Sequence, residues 1–166
     1  KENIIFIFTR VLKVHIAVVT VNLKKYSTGN LIDVLARKSL KQIGLDYGHG
    51  TGHGVGFFSN VHEGPQAISK YNQIKIREGM IISNEPGFYK KNKFGIRIEN
   101  LIYVQKSNNK LFFKNLTLAP IEKELINFKK LNFFEKDYLF KYHLNVYSKI
   151  SKKLNKNEKK WLASII

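Results

Sequence analysis

Cysteine is absent from the 166 residues, so disulfides and thiolate metal ligands are both excluded. That absence fits a cytoplasmic protein. Long apolar runs are missing too, since none reaches the roughly 18 to 20 residues that a membrane span needs. The opening "IIFIF" is short and has neither the cationic lead nor the small-residue cleavage site of a signal peptide. Acidic residues are scarce, 12 Asp and Glu against 29 Lys and Arg, for a net charge of +17. Such a charge invites a nucleic-acid partner. The lysines are scattered, however, with pairs at 24–25, 90–91, 129–130, 152–153 and 159–160, and do not gather on one helix with aromatics interleaved for stacking. Lys, Asn, Ile and Phe are all abundant, as an A/T-rich coding sequence would produce. The charge is read as a solvated background, and neither a membrane nor a nucleic acid is expected as partner.

What is present suits a folded core. Hydrophobic residues make up 43% of the chain, and a chain of this length buries roughly 68–70% of the surface its unfolded form exposes. From Phe8, the residues Val11, Leu12, Ile16 and Val19 recur at helical spacing, which predicts an amphipathic helix over 3–20. After the turn-forming "KKYSTGN", the segment "NLIDVLARKSLKQIG" predicts a second helix with an apolar stripe of Leu31, Val34, Leu35 and Leu40, stopped at Gly44. "VGFFSNV", "GMIISNEPGFY", "FGIRIENLIYV" and "KLFFKNLTL" then read as strands. In the third of these, Phe94, Ile96, Ile98 and Asn100 share one face, and Gly95, Arg97, Glu99 and Leu101 the other. Helical signals return from Pro120 in "IEKELI", "EKDYLFKYHLNVYSKI" and "NEKKWLAS". Helices, then antiparallel strands, then a helical tail make an α+β pattern.

Three of the five histidines fall in "GHGTGHGVGFFSNVHEGP", Gly48 to Pro65. His49 and His53 have the i, i+4 spacing of a helical zinc pair, but the alternating glycines make a helix there implausible. On an extended chain they face the same side, and the glycines let the backbone approach a ligand closely. A glycine-rich loop with surface histidines explains the spacing equally well. Glu85, where "MIIS" runs into a Pro-Gly turn, and Glu99, beside Arg97 on one strand face, add carboxylates at positions that are costly unless paired or ligating. Glu85 as a turn residue and Glu99 as an ion pair with Arg97 are each credible alone. Both together with three histidines favour a mainly oxygen-donor site for a hard or borderline divalent ion such as Mn²⁺.

"GLDYGHGTGHGVG", "NVHEGP", "GMIISNEPGFY" and "FGIRIEN", in this order, resemble the aminopeptidase P (Xaa-Pro aminopeptidase) family of pita-bread metallopeptidases. The likeness runs upstream through "FTRVLKVHIA" and downstream into "LTLAPIEKELI", "YHLNVYSKI" and "EKKWL". The resemblance implies a curved antiparallel sheet flanked by helices, with 1–119 part of the catalytic domain and 120–166 a helical tail. It implies removal of the residue preceding proline from peptide substrates, at a centre of two metal ions, usually manganese. Carried over by motif, His53 would be an imidazole ligand and Glu85 a ligand and general base. Glu99 would bridge both ions, and His49 and His62 would position substrate and stabilise the oxyanion or shuttle a proton. Arg97 would orient the carboxylates. The tail would support a homodimer, although an ordinary helical tail with buried Leu, Tyr and Trp161 explains it as well.

The family's site also takes two aspartates from an upstream hairpin of the type Y-x-x-D-S-G-A-x-Y-x-x-G-T-T-D-x-T-R. The aspartates here are Asp33, Asp46 and Asp137, and none lies in such a segment. The expectation is therefore the C-terminal part of a longer enzyme, inactive alone and exposing a sheet edge that favours aggregation. A noncatalytic pita-bread protein that binds a partner or RNA is the alternative. Prolidase and methionine aminopeptidase share the fold, but the paired "HGTGHGVG" and "NVHEGP" with the "YHLNVY" tail favour aminopeptidase P.

Overall fold

The computed structural model describes residues 2–166. The chain forms two compact units, one of Arg10–Thr117 and one of the N-terminal residues through Thr9 with Leu118–Ile166.

Helix α1 spans Glu2–Val19. From Val11 to Val19 only Lys13 and Ala17 escape full burial, and those two are half-buried. The predicted amphipathic helix is here enclosed almost all round, as its Val, Leu and Ile content allows. Helices α2 (Gly29–Ala36) and α3 (Lys38–Lys41) replace the single second helix. Their buried face is Gly29, Ile32, Asp33, Ala36 and Leu40, so of the expected stripe Leu40 is buried and Leu35 half-buried, but Leu31 is exposed and Val34 is 61% exposed. Two contacts rotate the helix. A Cβ on Gly29 would run into the Ala67 carbonyl, so this side must lie against the neighbouring strand. Asp33 is drawn inward by Arg37 and Thr51, and the polar anchor overrides the apolar pattern.

Strands β1 (Gly52–His53) and β2 (Ala67–Ile68) pair antiparallel. The strand expected at "VGFFSNV" is instead a 3₁₀ turn, Phe57–Ser59, in which Phe58 takes left-handed angles (φ 65°, ψ 37°). Phe57 and Phe58 are 86% and 89% exposed, so apolar content here does not signal a buried strand. Strands β3 (Ile81–Asn84), β6 (Asn100–Ser107) and β7 (Lys110–Asn115) form a three-stranded antiparallel sheet in the order β3-β6-β7. Between β3 and β6 the chain makes a second ladder, β4 (Gly87–Lys90) with β5 (Phe94–Arg97). "FGIRIENLIYV" is thus two strands with a gap at Ile98 and Glu99. The alternation nevertheless runs through the gap, with Ile96, Ile98 and Asn100 buried and Gly95, Arg97 and Glu99 exposed.

The gap has a chemical cause. Asn84 pairs with Asn100 at the end of one ladder, and Gly87 with Arg97 at the start of the next. Extending either register through the gap sets Glu85 opposite Glu99 and Pro86 opposite Ile98. Pro86 has no N–H to give the ladder. The Ile98 N–H still donates to the Pro86 carbonyl at 3.3 Å, while the Glu85 N–H, on the opposite edge of the strand, donates to the Thr51 carbonyl at 2.9 Å. The hairpin therefore stays in register through the gap and lacks only the bond that Pro86 cannot give. Beneath it lies His15 of α1, fully buried against the main chain of Ile98 and Asn84, while the Asn84 side chain donates to the His15 carbonyl at 3.0 Å.

In the other unit, α4 (Phe133–Ile150) and α5 (Lys156–Ile165) each begin with a reciprocal capping box, Asn132 with Glu135 and Asn155 with Glu158. "IEKELI" forms a 3₁₀ turn, Lys123–Leu125, rather than an α-helix. Ile121, Ile126, Leu139, Tyr142, Val146 and Leu162 are buried, but Trp161 is 62% exposed, against expectation, because Leu162 takes the inward position of α5. The Tyr142 hydroxyl donates to the Ala119 carbonyl at 2.7 Å, and His143 Nε2 accepts from the Ile121 N–H at 3.1 Å. Burial, followed by the Lys123 charge, lowers the His143 pKa, which suits an acceptor ring.

Neither ring nitrogen of His15 has a hydrogen-bond partner among the described residues, and burial pushes its pKa from 6.5 down to about 4. Below pH 6.5 the unfolded chain takes up a proton that the folded chain refuses. The stability this group contributes is therefore fully present above that pH and is lost as pH falls toward about 4, by about 3 kcal/mol. Denaturant titrations across this range are expected to show wild-type stability falling with acid relative to His15→Leu. Stabilities that fall in parallel would refute the assignment.

Candidate metal centre

Three elements converge on Glu85, which is only 9% exposed. β3 ends just before it, β1 brings His53 alongside, and β5 ends in Arg97. His53 reaches Glu85 because β1 lies tight on β3, where a Cβ on Gly52 would run into the Ser83 carbonyl. The contact continues as a bridge between Gly54 and Ile82. A directional chain then forms, in which the His53 N–H donates to Ser83 Oγ at 2.9 Å and Ser83 Oγ donates to Glu85 Oε1 at 3.0 Å. His53 Nε2 stands 3.2 Å from the same oxygen. The other carboxylate oxygen, Oε2, is 3.4 Å from Arg97 Nη1.

The proton positions follow from what each partner can do. His53 Nδ1 lies 3.0 Å from the Gly54 carbonyl, an acceptor only, so Nδ1 carries the hydrogen. Nε2 then presents a lone pair to Glu85 Oε1. Two acceptors at this distance suit a shared proton or a cation between them. The donor set is one imidazole and one carboxylate, which fits part of the shell of a hard or borderline divalent ion. Glu99 stands opposite Glu85 across the hairpin gap, a juxtaposition of like charges that is unfavourable without a counter-charge. Arg97 supplies some of it. Its pKa is raised, first by the hydrogen bond to Tyr89 and further by the charges of Glu85 and Glu99. Among the described residues no group of three or more His, Asp or Glu side chains is close enough together to hold a metal. The residues present therefore fit a partial shell, not a complete one.

The remaining histidines flank this pair. The His62 ring lies 4.1 Å from that of His53, centroid to centroid, on an exposed loop. His49 Nδ1 is 2.7 Å from the Gly50 carbonyl, and its Nε2 is 3.0 Å from the Tyr89 hydroxyl. Arg97 Nε donates to that hydroxyl at 2.8 Å. Tyr89 thus accepts from Arg97 and donates to His49. One continuous series of contacts runs His49–Tyr89–Arg97–Glu85–His53–His62.

Residues 2–106 match metallopeptidase family M24, and residues 109–165 match the C-terminal region of peptidase M24. The chain belongs to metallopeptidase family M24. A protein of Coprinopsis cinerea named "Probable Xaa-Pro aminopeptidase P" is 46% identical over 168 residues, spanning 93% of this chain and 27% of that protein. Aminopeptidase P2 of Arabidopsis thaliana is 46% identical over 154 residues, 87% of this chain and 22% of that one. The chain therefore spans about a quarter of the length of the curated relatives it matches. An X-prolyl aminopeptidase from Caenorhabditis elegans, described as a cytosolic enzyme with a di-nuclear active site, superposes with a TM-score of 0.91 at 36% identity. That superposition covers 99% of this chain and 29% of that one. A prolidase from Pyrococcus furiosus superposes with a TM-score of 0.59 at 33% identity over 68% of this chain and 32% of that one. The fold is the pita-bread fold of these metallopeptidases, with helices packed on antiparallel sheets.

Within this M24 chain, the six residues singled out from the sequence do not sit alike. His49, His53, His62, Glu85 and Arg97 form the contact series, whereas Glu99 is exposed and acts on Arg97 only through its charge. Sequence reading missed two members, Ser83 and Tyr89. Ser83 was legible as a fully buried hydroxyl two residues before Glu85 on a short strand. Tyr89 is 45% exposed, and no pattern in the chain announces that it spans His49 and Arg97.

Ser83→Ala would strand the His53 N–H and remove a donor from Glu85 in a fully buried position. The expected cost is about 1–3 kcal/mol, read from the urea midpoint. A midpoint equal to wild type would show that the serine does not couple the two side chains.

Proposed function

We propose that these residues form the His53–Glu85–Glu99 part of a two-metal Xaa-Pro aminopeptidase site. The observation that carries the reading is the hairpin register, which makes Glu85 and Glu99 cross-strand partners while His53 Nε2 stands 3.2 Å from Glu85. Relatives named for Xaa-Pro aminopeptidase and the di-nuclear site of the nematode enzyme support it. In this reading His53, Glu85 and Glu99 would be the residues that hold the ions, with Mn²⁺ suited to the oxygen-rich donors. When bound, such ions lower the pKa of a shared water and polarise the scissile carbonyl.

The chain's own residues do the rest. Glu85, kept in place by Ser83 and Arg97, accepts the proton of the attacking water as general base. Arg97 holds that carboxylate in one orientation from outside the reacting atoms. His49 and His62 stand on either flank to position the peptide. His62 would donate to the developing oxyanion or pass the proton to the departing proline nitrogen. His49, bonded through Nδ1 to the Gly50 carbonyl and through Nε2 to Tyr89, would act there only by exchanging its Tyr89 bond. A cytoplasmic location and a homodimer through the C-terminal tail complete the proposal. The cytosolic nematode enzyme supports the former; no helix among the described residues is long and apolar enough to cross a membrane.

The aspartates of the family's upstream hairpin lie outside these residues, so a polypeptide of these residues alone is expected to hydrolyse Xaa-Pro peptides no faster than a Mn²⁺ blank. Clear release of the N-terminal residue would overturn that expectation. Calorimetric titration with Mn²⁺ should show weak uptake, lowered at least about 10-fold by Glu85→Gln or His53→Ala. Uptake that neither change affects would remove these residues from the site. Tight RNA binding with a steep salt slope would favour the noncatalytic alternative instead.

A further inference from the structure

Arg37 lies outside the contact series described above, yet it holds the segment on which His49 stands. Its Nε donates to Asp33 Oδ2 at 2.8 Å. Nη1 donates to Asp46 Oδ1 at 2.7 Å and to the Tyr47 carbonyl at 2.8 Å, and Nη2 donates to the His49 carbonyl at 2.6 Å. The guanidinium also lies over the Tyr47 ring, 4.0 Å from its centroid. Four of its five N–H donors are thus used within one planar fork.

A hydroxyl relay closes the arrangement. Thr51 Oγ1 donates to Asp33 Oδ1 at 2.6 Å, since the carboxylate can only accept. The Thr51 hydroxyl has no second hydrogen, so at the 2.5 Å contact the Tyr47 hydroxyl is the donor. Asp33, Thr51 and Tyr47 are all buried, and each half of the relay returns to Arg37. The fork and relay hold the main chain at Tyr47 and His49 and the side chains of Asp46 and Thr51, and the Thr51 carbonyl in turn takes the Glu85 N–H.

We infer that Arg37 is a positioning residue for His49, fixing through the His49 carbonyl both the ring's direction and the tautomer it presents to the site. With the His49 carbonyl held, the Gly50 carbonyl takes the Nδ1 hydrogen and leaves Nε2 as the acceptor for Tyr89. The His49 carbonyl lies in the 49–50 peptide and the Gly50 carbonyl in the next one, so Arg37 acts on the Nδ1 bond through the intervening Gly50 Cα. The net balance of charge holds the fork closed: burial opposes the Arg37 charge, and the bonds to Asp33 and Asp46 more than offset it. Asp46 is correspondingly held below the ordinary carboxylate range, burial acting against the shift and Arg37 driving it. The inference rests on reading His49 as a substrate-facing residue, but its test needs no catalysis. Its failure is therefore distinct from failure of the aminopeptidase assignment.

The test is ¹⁵N NMR of the histidine rings in the full chain at about pH 8, where exposed imidazoles are neutral. Wild type should show one His49 tautomer, with Nδ1 protonated and Nε2 accepting. Tyr89→Phe removes the Nε2 partner and leaves Arg37 untouched, which supplies the signature of a released ring. Arg37→Lys keeps a charge for Asp33 but cannot span Asp46 and the two carbonyls. It is expected to move the His49 nitrogens toward a mixed-tautomer average while His53 and His62 keep their wild-type shifts. A folded Arg37→Lys chain with unchanged His49 signals would overturn the inference, as would shifts shared equally by His49, His53 and His62. If Arg37→Lys does not fold, Asp46→Ala decides: it frees one arm of the fork at a half-exposed position and should move His49 in the same direction, less far. An unmoved His49 in that variant would count against the inference.

Discussion

The structure depends on one hairpin register that runs unbroken past a proline. Pro86 has no N–H to give the ladder, yet its carbonyl accepts from the Ile98 N–H, and the register on both sides is the same. Glu85 and Glu99 are therefore cross-strand partners, while the Glu85 N–H reaches the Thr51 carbonyl on the other edge of its strand. Like charges opposite one another are destabilising, so the arrangement needs counter-charge from Arg97 and, in the proposed function, from metal ions. Glycine follows from the same constraint. β1 must come close enough to β3 for His53 to meet Glu85, and at Gly52 only a residue without Cβ allows that approach.

Around that hairpin, polar groups are buried and almost every one is paired. Asp33, Thr51, Ser83 and Arg37 sit in or at the edge of the core with named partners. A buried polar group left without a partner costs about 1–3 kcal/mol, so each link restrains its neighbour. His15 is the contrast, a fully buried ring with no hydrogen-bond partner among the described residues. Burial keeps it neutral beneath the two strands that carry Glu85 and Glu99.

Much of the fold was legible in residue patterns. α1, the strand alternation in "FGIRIENLIYV" and the capped tail helices followed from periodicity and turn chemistry. Leu31 and Val34 were assigned to the core by apolar spacing, but Asp33, through Arg37 and Thr51, turns the opposite face inward. "VGFFSNV" was read as a strand from its apolar content, but Phe58 adopts a left-handed turn and both phenylalanines face outward. The ordinary-tail reading put Trp161 inward, while Leu162 fills that place. At α2 a partner distant in sequence, Thr51, outvoted the local preference, and at the other two sites apolar residue type did not decide burial.

The sequence by itself determined the donor chemistry: no thiolate, histidines spaced along a glycine-rich run, and glutamates at strand ends. These are properties of residue type and local spacing, and they carried the likeness to the aminopeptidase P family before any contact was known. Only the tertiary structure decided that Glu85 and Glu99 are cross-strand partners, that Ser83 joins His53 to Glu85, and that Tyr89 and Arg37 hydrogen-bond His49. Those relations are set by hydrogen-bond register and by close approach of main chains far apart in sequence. Both are settled when the chain packs, and no window of neighbouring residues encodes them.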